Sequence, residues 1–306
     1  MPPQYVWPPP LQPGDGLAVL APASPISSEA MAAGAEVLSA WGFRLLYGPE
    51  VFAPRPYEAA VDVDLAQRLH QAISDPAVKG IICARGGYGT IRLLPHLDPT
   101  LLAAHPKCFM GFSDITTLLC RFSQQAGIIT YHGPTVAHLA EIWPEAQEHC
   151  RQALTQTWPA PLTFTDLQVL VPGQAQGPLL GGNLAILASL LGTPYAPALA
   201  GHVLFLEDYN EPLYRIDRLL QQLRLSGSLQ GVAAILLGGF TGGGPVAQVW
   251  DLLAAYGNDL DIPILAGLPV GHQPDNFTLP CGALAQVDGL AGAVRIQVPP
   301  SREGRP

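Results

Sequence analysis

The chain reads as an α/β protein: a parallel sheet covered by helices fills the first half, and a β-rich region follows. Three observations carry that expectation. Short, nearly continuous apolar runs at residues 17–21, 79–84 and 108–112 alternate with stretches at helical spacing, the pattern of strands buried on both faces. Hydrophobic residues make up 48% of the chain and charged residues 13%, which favours well-buried sheets over disorder. Beyond residue 156 prolines and glycines interrupt the alternation, and from about 278 to 298 apolar and turn residues alternate as in antiparallel strands. A length of 306 residues is long for one core and comfortable for two. Two domains are therefore expected, at 1–155 and 177–306, joined by a connection at about 156–176 that holds one strand-like segment, 167–171.

Taken in order, residues 17–21 form a buried strand that ends before Pro22. Ser27 or Ser28 caps a helix to about Trp41, which Gly42 closes. A second strand spans 43–47, and a helix from Tyr57 to Ile73 stops at Asp75-Pro76. The strand at 79–84 opens into the loop Arg85-Gly86-Gly87-Tyr88-Gly89, then a short helix. The next apolar run reaches Gly111, turns at Ser113 and passes into an amphipathic helix; a further strand at 128–131 leads to His132, Gly133 and Pro134. Ligand sites in such sheets lie at the carboxyl ends of the strands, where Ser24, the 85–89 loop, Ser113 and His132 all fall. In the second half, residues 177–183 are expected as a glycine turn in which Asn183 caps a helix to about 191. A strand at 203–206 ends on Glu207 and Asp208, and a helix carrying Tyr214, Arg215, Asp217 and Arg218 follows Pro212. A strand at 232–237 ends in Gly238 and Gly239, a helix spans about 246–256, and residues 263–268 lead to Gly271 and His272.

Several function classes are excluded. A net charge of −9 without a basic cluster disfavours nucleic acid. Residues 1–10 carry neither a basic nor an apolar leader segment, and no stretch is long enough for a membrane span, so no membrane partner is expected. Five scattered cysteines, Cys83, Cys108, Cys120, Cys150 and Cys281, lack Cys-x-x-Cys spacing, which fits structural thiols in a reducing compartment, the cytoplasm. No His, Cys or acid spacing matches a metal site, so neither metal nor cofactor is expected.

Ser113 stands where a strand hands over to a helix, the setting of a nucleophile elbow, although serine is also a favoured helix cap and the second glycine of the hydrolase motif is missing. Glu207 directly follows an apolar run and is expected to be partly enclosed, whereas Glu211 reads as helix-start charge. Of the eight histidines, His132 and His272 stand apart because each adjoins glycine just beyond an apolar run. In the order Ser113, Glu207, His272 these residues can supply a nucleophile, an orienting carboxylate and a general base.

The stretches Ala84-Arg85-Gly86-Gly87-Tyr88-Gly89, Gly111-Phe112-Ser113-Asp114, Leu180-Gly181-Gly182-Asn183, Leu206-Glu207-Asp208, Tyr214-Arg215-Ile216-Asp217-Arg218 and Gly271-His272 together resemble the LD-carboxypeptidases. These serine peptidases include murein tetrapeptide carboxypeptidases and microcin-immunity peptidases. The resemblance implies a flavodoxin-like N-terminal domain, a β-rich C-terminal domain, an active site between them, a homodimer, and a triad of Ser113, Glu207 and His272. The expected reaction is hydrolysis of an L,D-amide in a small peptide, releasing a C-terminal D-residue. Backbone N–H groups of Asp114 and of Gly86 or Gly87 would hold the oxyanion, and Arg85 is the candidate for the substrate carboxylate, against a structural role in its own loop. Two rivals stay open. One is hydrolysis of a peptidyl-nucleotide, which an aromatic base platform would mark; Trp41, Trp143, Trp158 and Trp250 are undecided between that and packing. The other is a non-catalytic module binding a small peptide or nucleotide, although the 86–89 loop lacks phosphate-loop spacing.

Overall fold

A computed structural model describes residues 5–54 and 58–299. The first half contains β1 (Gly16–Leu20), α1 (Ser28–Ala40), β2 (Arg44–Leu46), α2 (Ala59–Ser74), β3 (Val78–Cys83), α3 (Thr90–Leu93), α4 (Thr100–Ala104), β4 (Cys108–Gly111), α5 (Thr116–Ala126), β5 (Thr130–His132), α6 (Val136–Leu139) and α7 (Pro144–Thr155). The second half contains β6 (Leu162–Phe164), β7 (Gln168–Val171), β8 (Gln174–Asn183), α8 (Leu184–Ser189), β9 (Val203–Tyr209), α9 (Leu213–Leu225), β10 (Ala234–Thr241), α10 (Val246–Leu260), β11 (Ile264–Ala266), β12 (Leu279–Cys281), β13 (Leu284–Asp288) and β14 (Ala293–Ile296).

The first sheet runs β2-β1-β3-β4-β5 with all neighbours parallel, the flavodoxin-like order, and β12 closes its far edge antiparallel to β5. Its strands alternate between two cores. Leu17, Val19, Ile82 and Met110 face one cluster, while Ala18, Ile81, Cys83 and Phe109 face the other. Helix signals act as expected at α1, where Ser27 Oγ accepts from Ala30 N at 3.2 Å and Gly42 follows at φ 91°. Tyr57, expected to open α2, and Met1–Gln4 of the N-terminal stretch lie outside the described residues.

The second sheet runs β6-β14-β13-β8-β9-β10-β11-β7, with a parallel centre from β8 to β11 and antiparallel strands on both flanks. Its buried residues Leu180, Leu204, Leu206 and Leu236 join the same cluster as Leu17 and Met110 of the first sheet. That shared core sets the carboxyl ends of β4 and β9 beside one another.

One expectation changes. Residues 177–183 are not a turn but the second part of β8, and the glycines are there for close approach. A Cβ on Gly177 would lie 2.2 Å from Gly201 O, and one on Gly181, at φ 152°, 1.9 Å from Phe205 O. Within the expected 156–176 connection, β6 and β7 take up the two edges of the second sheet, and β12 carries the C-terminal half back to the first.

Candidate active site

The strand β4 ends at Gly111, Phe112 is extended at φ −152°, and Ser113 adopts φ 63° before a single 3-10 turn, Ser113–Ile115, opens α5. Serine rarely holds a positive φ outside a sharp functional turn, and the nucleophile elbow is one such turn. The reading of Ser113 as a helix cap fails, because its side chain caps neither the turn nor α5. Among the described residues its hydroxyl makes no hydrogen bond.

The loop after β3 lies against this elbow. A Cβ on Gly86 would sit 3.0 Å from Ser113 Cβ and 3.2 Å from its Oγ, so any larger residue there would crowd the serine side chain. Gly87 holds φ 111°, and a Cβ there would lie 2.1 Å from Ser24 Oγ. Ser24 braces the loop: its N–H donates to Gly86 O at 3.2 Å and its Oγ accepts from Tyr88 N at 3.3 Å. Asp114 ties the loop to the elbow, since its buried Oδ2 accepts from Thr90 N at 2.8 Å while Thr90 Oγ1 donates to Asp114 O at 2.6 Å. Arg85 is exposed at the rim, and no ion pair holds its guanidinium among the described residues.

The strand β9 delivers Glu207, fully buried, whose Oε2 lies 2.7 Å from His272 Nδ1. Glycine again permits the approach. A Cβ on Gly271, at φ 123°, would be 3.0 Å from Glu207 Oε2, and one on Gly238 would be 3.3 Å from Glu207 Cβ. The Gly271 N–H donates to the buried Asn276 Oδ1 at 3.0 Å, which fixes the turn that presents His272. The imidazole meets the elbow through Phe112, the residue before Ser113, with ring centroids 4.7 Å apart. Its other contact is Tyr209, stacked at 5.0 Å and 22°.

Beside this pair, Asp208 accepts from Asn183 Nδ2 at 2.9 Å, Ala185 N at 3.0 Å and Tyr209 N at 2.8 Å. Burial, and next the Glu207 charge, still push its carboxyl up to about 6. His132 is fully buried, 4.9 Å from the Phe205 ring, and burial pulls its imidazole down to about 4. It is therefore a neutral core residue walled off by Phe112 and Phe205 rather than a base open to substrate. His138, read from sequence as unremarkable, packs its ring 5.0 Å from Phe112 and shares a 2.9 Å hydrogen bond with Thr135 Oγ1. Burial, foremost, lowers its affinity for a proton.

Sequence reasoning thus missed the parts played by Phe112, Tyr209 and His138, which follow from rings that the fold brings together. Of the tryptophans, Trp158 is a packing residue: it is buried, and its indole N–H donates to His149 O at 3.1 Å. Among the described residues, no group of three His, Cys, Asp or Glu is placed to hold a metal, and no helix is long and apolar enough to cross a membrane.

Family models described as the LD-carboxypeptidase N-terminal domain and the LD-carboxypeptidase C-terminal domain match residues 17–133 and 176–287. The chain is 40% identical over 302 residues to a Streptomyces coelicolor protein that carries a carboxypeptidase name, covering 97% of each. It is 34% identical over 295 residues to the murein tetrapeptide carboxypeptidase of Pseudomonas aeruginosa, covering 91% of this chain and 95% of the relative. The crystal structure of an MccF-like protein from Bacillus anthracis superposes with a TM-score of 0.86 at 26% identity, covering 96% of this chain and 99% of the other.

Proposed function

Because the chain belongs to the LD-carboxypeptidase family of peptidases, we propose that it is a serine-type carboxypeptidase that cleaves an L,D-amide of a murein tetrapeptide and releases the terminal D-residue. One observation carries the reading: a buried Glu207 2.7 Å from a partly buried His272, whose imidazole packs against the residue that precedes a serine at φ 63°. Ser113 attacks the amide carbonyl carbon and passes its proton to His272, while Glu207 fixes the tautomer and stabilises the imidazolium. The N–H groups of Asp114 and of Gly86 or Gly87 stabilise the oxyanion. The carbon–nitrogen bond breaks as His272 returns the proton to the leaving amine. Water, deprotonated by His272, then hydrolyses the ester and restores Ser113. Arg85, exposed and without an ion pair, is the group assigned to the substrate's terminal carboxylate. No metal or cofactor takes part. The enzyme works as a homodimer in the cytoplasm, a setting with which five buried free thiols agree.

Ser113→Ala is expected to lower release of D-alanine from a murein tetrapeptide by at least about 10³-fold, with an unchanged circular dichroism spectrum. Wild-type activity in that variant would remove the serine mechanism. The structural likeness to an MccF-like protein favours one second reading, cleavage of a peptidyl-nucleotide. Offering the protein murein peptides and aminoacyl nucleotides side by side, with mass spectrometry as the readout, separates the two. Labelling of Ser113 by a fluorophosphonate separates either from a binding module.

A further inference from the structure

Two aromatic rings with opposite relations to solvent lie against the His272 imidazole. Phe112 lies 4.7 Å away on the protein side and is buried. Tyr209 lies 5.0 Å away, stacked with its plane 22° from that of the imidazole, and is 55% exposed. A half-exposed tyrosine usually wanders among rotamers, but this one stands on a backbone that cannot. Its N–H donates to Asp208 Oδ1 at 2.8 Å, and Asp208 is in turn held by Asn183 Nδ2 and Ala185 N. Tyr209 also pairs in register with Thr241 at the end of β10, and Asn210, at φ 60°, donates to Thr241 O at 2.6 Å. The next turn is packed tightly underneath: a Cβ on Gly243 would lie 1.8 Å from Glu211 O. The Cα–Cβ bond of Tyr209 therefore leaves β9 in a set direction, and the ring it carries stacks on the imidazole.

The Glu207 bond constrains only one edge of that imidazole. About the Cβ–Cγ axis the ring can still tilt, and each tilt moves the second nitrogen relative to the Ser113 oxygen. A ring stacked on the imidazole, with a second packed against it, opposes that tilt.

We propose that Tyr209 is a positioning residue that closes the outer face of His272 and, with Phe112, clamps the imidazole in the plane where Nδ1 meets Glu207 and Nε2 is left for Ser113. This rests on the serine-peptidase reading given above. The phenol hydroxyl takes no part; the clamp is the ring. Other polar groups near the imidazole are Glu207 on β9, His132 on β5 and His138 on α6.

The test compares Tyr209→Phe with Tyr209→Leu. An aromatic pair contributes about 0.5–1.5 kcal/mol beyond its buried area, so loss of the ring should lower kcat about two- to tenfold. Tyr209→Leu is expected to lower kcat in that range with little change in KM, and Tyr209→Phe to restore it. The second readout needs no turnover: the low-field proton resonance of His272 Nδ1–H, bonded to Glu207, should broaden or vanish in Tyr209→Leu and persist in Tyr209→Phe. Recording it in the Ser113→Ala background keeps the two hypotheses apart, because that signal reports on the clamp even if the serine mechanism fails. An unchanged resonance with unchanged kcat overturns the proposal. So does a rise in KM alone, which would make Tyr209 a wall of the substrate site.

Discussion

Ser113 holds a left-handed backbone conformation that costs a residue with a Cβ on the order of 1–2 kcal/mol, and its surroundings leave it no alternative. Gly86 crowds one side, Asp114 is tied to Thr90, and Phe112 is packed among three imidazoles. Glu207 is in a comparable position, since one carboxylate oxygen meets His272 and the other is buried without a partner among the described residues. Removing its charge should therefore harm chemistry far more than folding. Glu207→Gln, nearly isosteric, is expected to lower kcat by about 10²–10⁴ through the wrong imidazole tautomer, while the urea midpoint stays level or rises. A kcat within threefold of wild type would show that the carboxylate does not orient the base. At these positions the sequence was informative: glycine before a serine, an acid closing an apolar run and glycine before a histidine are local signals. Tyr209 and His138 carried no such signal, because a stack depends on which rings the fold brings face to face.

The element β8–α8 shows how one short motif serves both architecture and site. Gly181 and Gly182 let β8 lie against β9 and α5, with a Cβ on Gly182 placed 2.4 Å from Thr116 Oγ1. Asn183 then ends the strand, and its three contacts point three ways. Its Oδ1 caps α8 by accepting from Ile186 N, its Nδ2 donates to Asp208, and its N–H donates to Thr116 Oγ1 at the start of α5. Asn183→Ala should lower the unfolding free energy by about 1–3 kcal/mol, as a lost cap plus an acid deprived of one donor. Chemical denaturation measures this, and a change below about 0.5 kcal/mol would contradict it. The cap was legible in sequence, because Asn before a helical run is a local preference. The strand was not, since a glycine that makes room for a neighbouring backbone looks like a glycine that makes a turn until the neighbour is known.

Across the molecule, a core shared by two sheets buries several titratable groups, and that sets the response to acid. Burial lowers His132 and His149 to about 4, so between pH 6.5 and 4 the unfolded chain binds more protons than the native one. Their contribution to stability is complete above about pH 6.5 and is lost as pH falls toward 4. Asp208, raised to about 6, acts in the opposite sense: the native state holds its proton longer, so its contribution is present at low pH and lost as pH rises through about 6. Two histidines outweigh one aspartate, so urea unfolding should show stability falling by a few kcal/mol from pH 7 to 4.5. A flat profile would mean that the imidazoles find water or partners in the folded state. The helical periods, the buried strand runs of the first sheet, the caps at Ser27 and Asn183 and the order of the chemical residues along the chain were readable from the chain itself, because each depends on neighbours within a few positions. Which sheet β6, β7 and β12 join, how β4 and β9 come to end side by side, and which rings enclose His272 follow from long-range burial, in which segments compete for the same apolar surface and no local pattern names the winner.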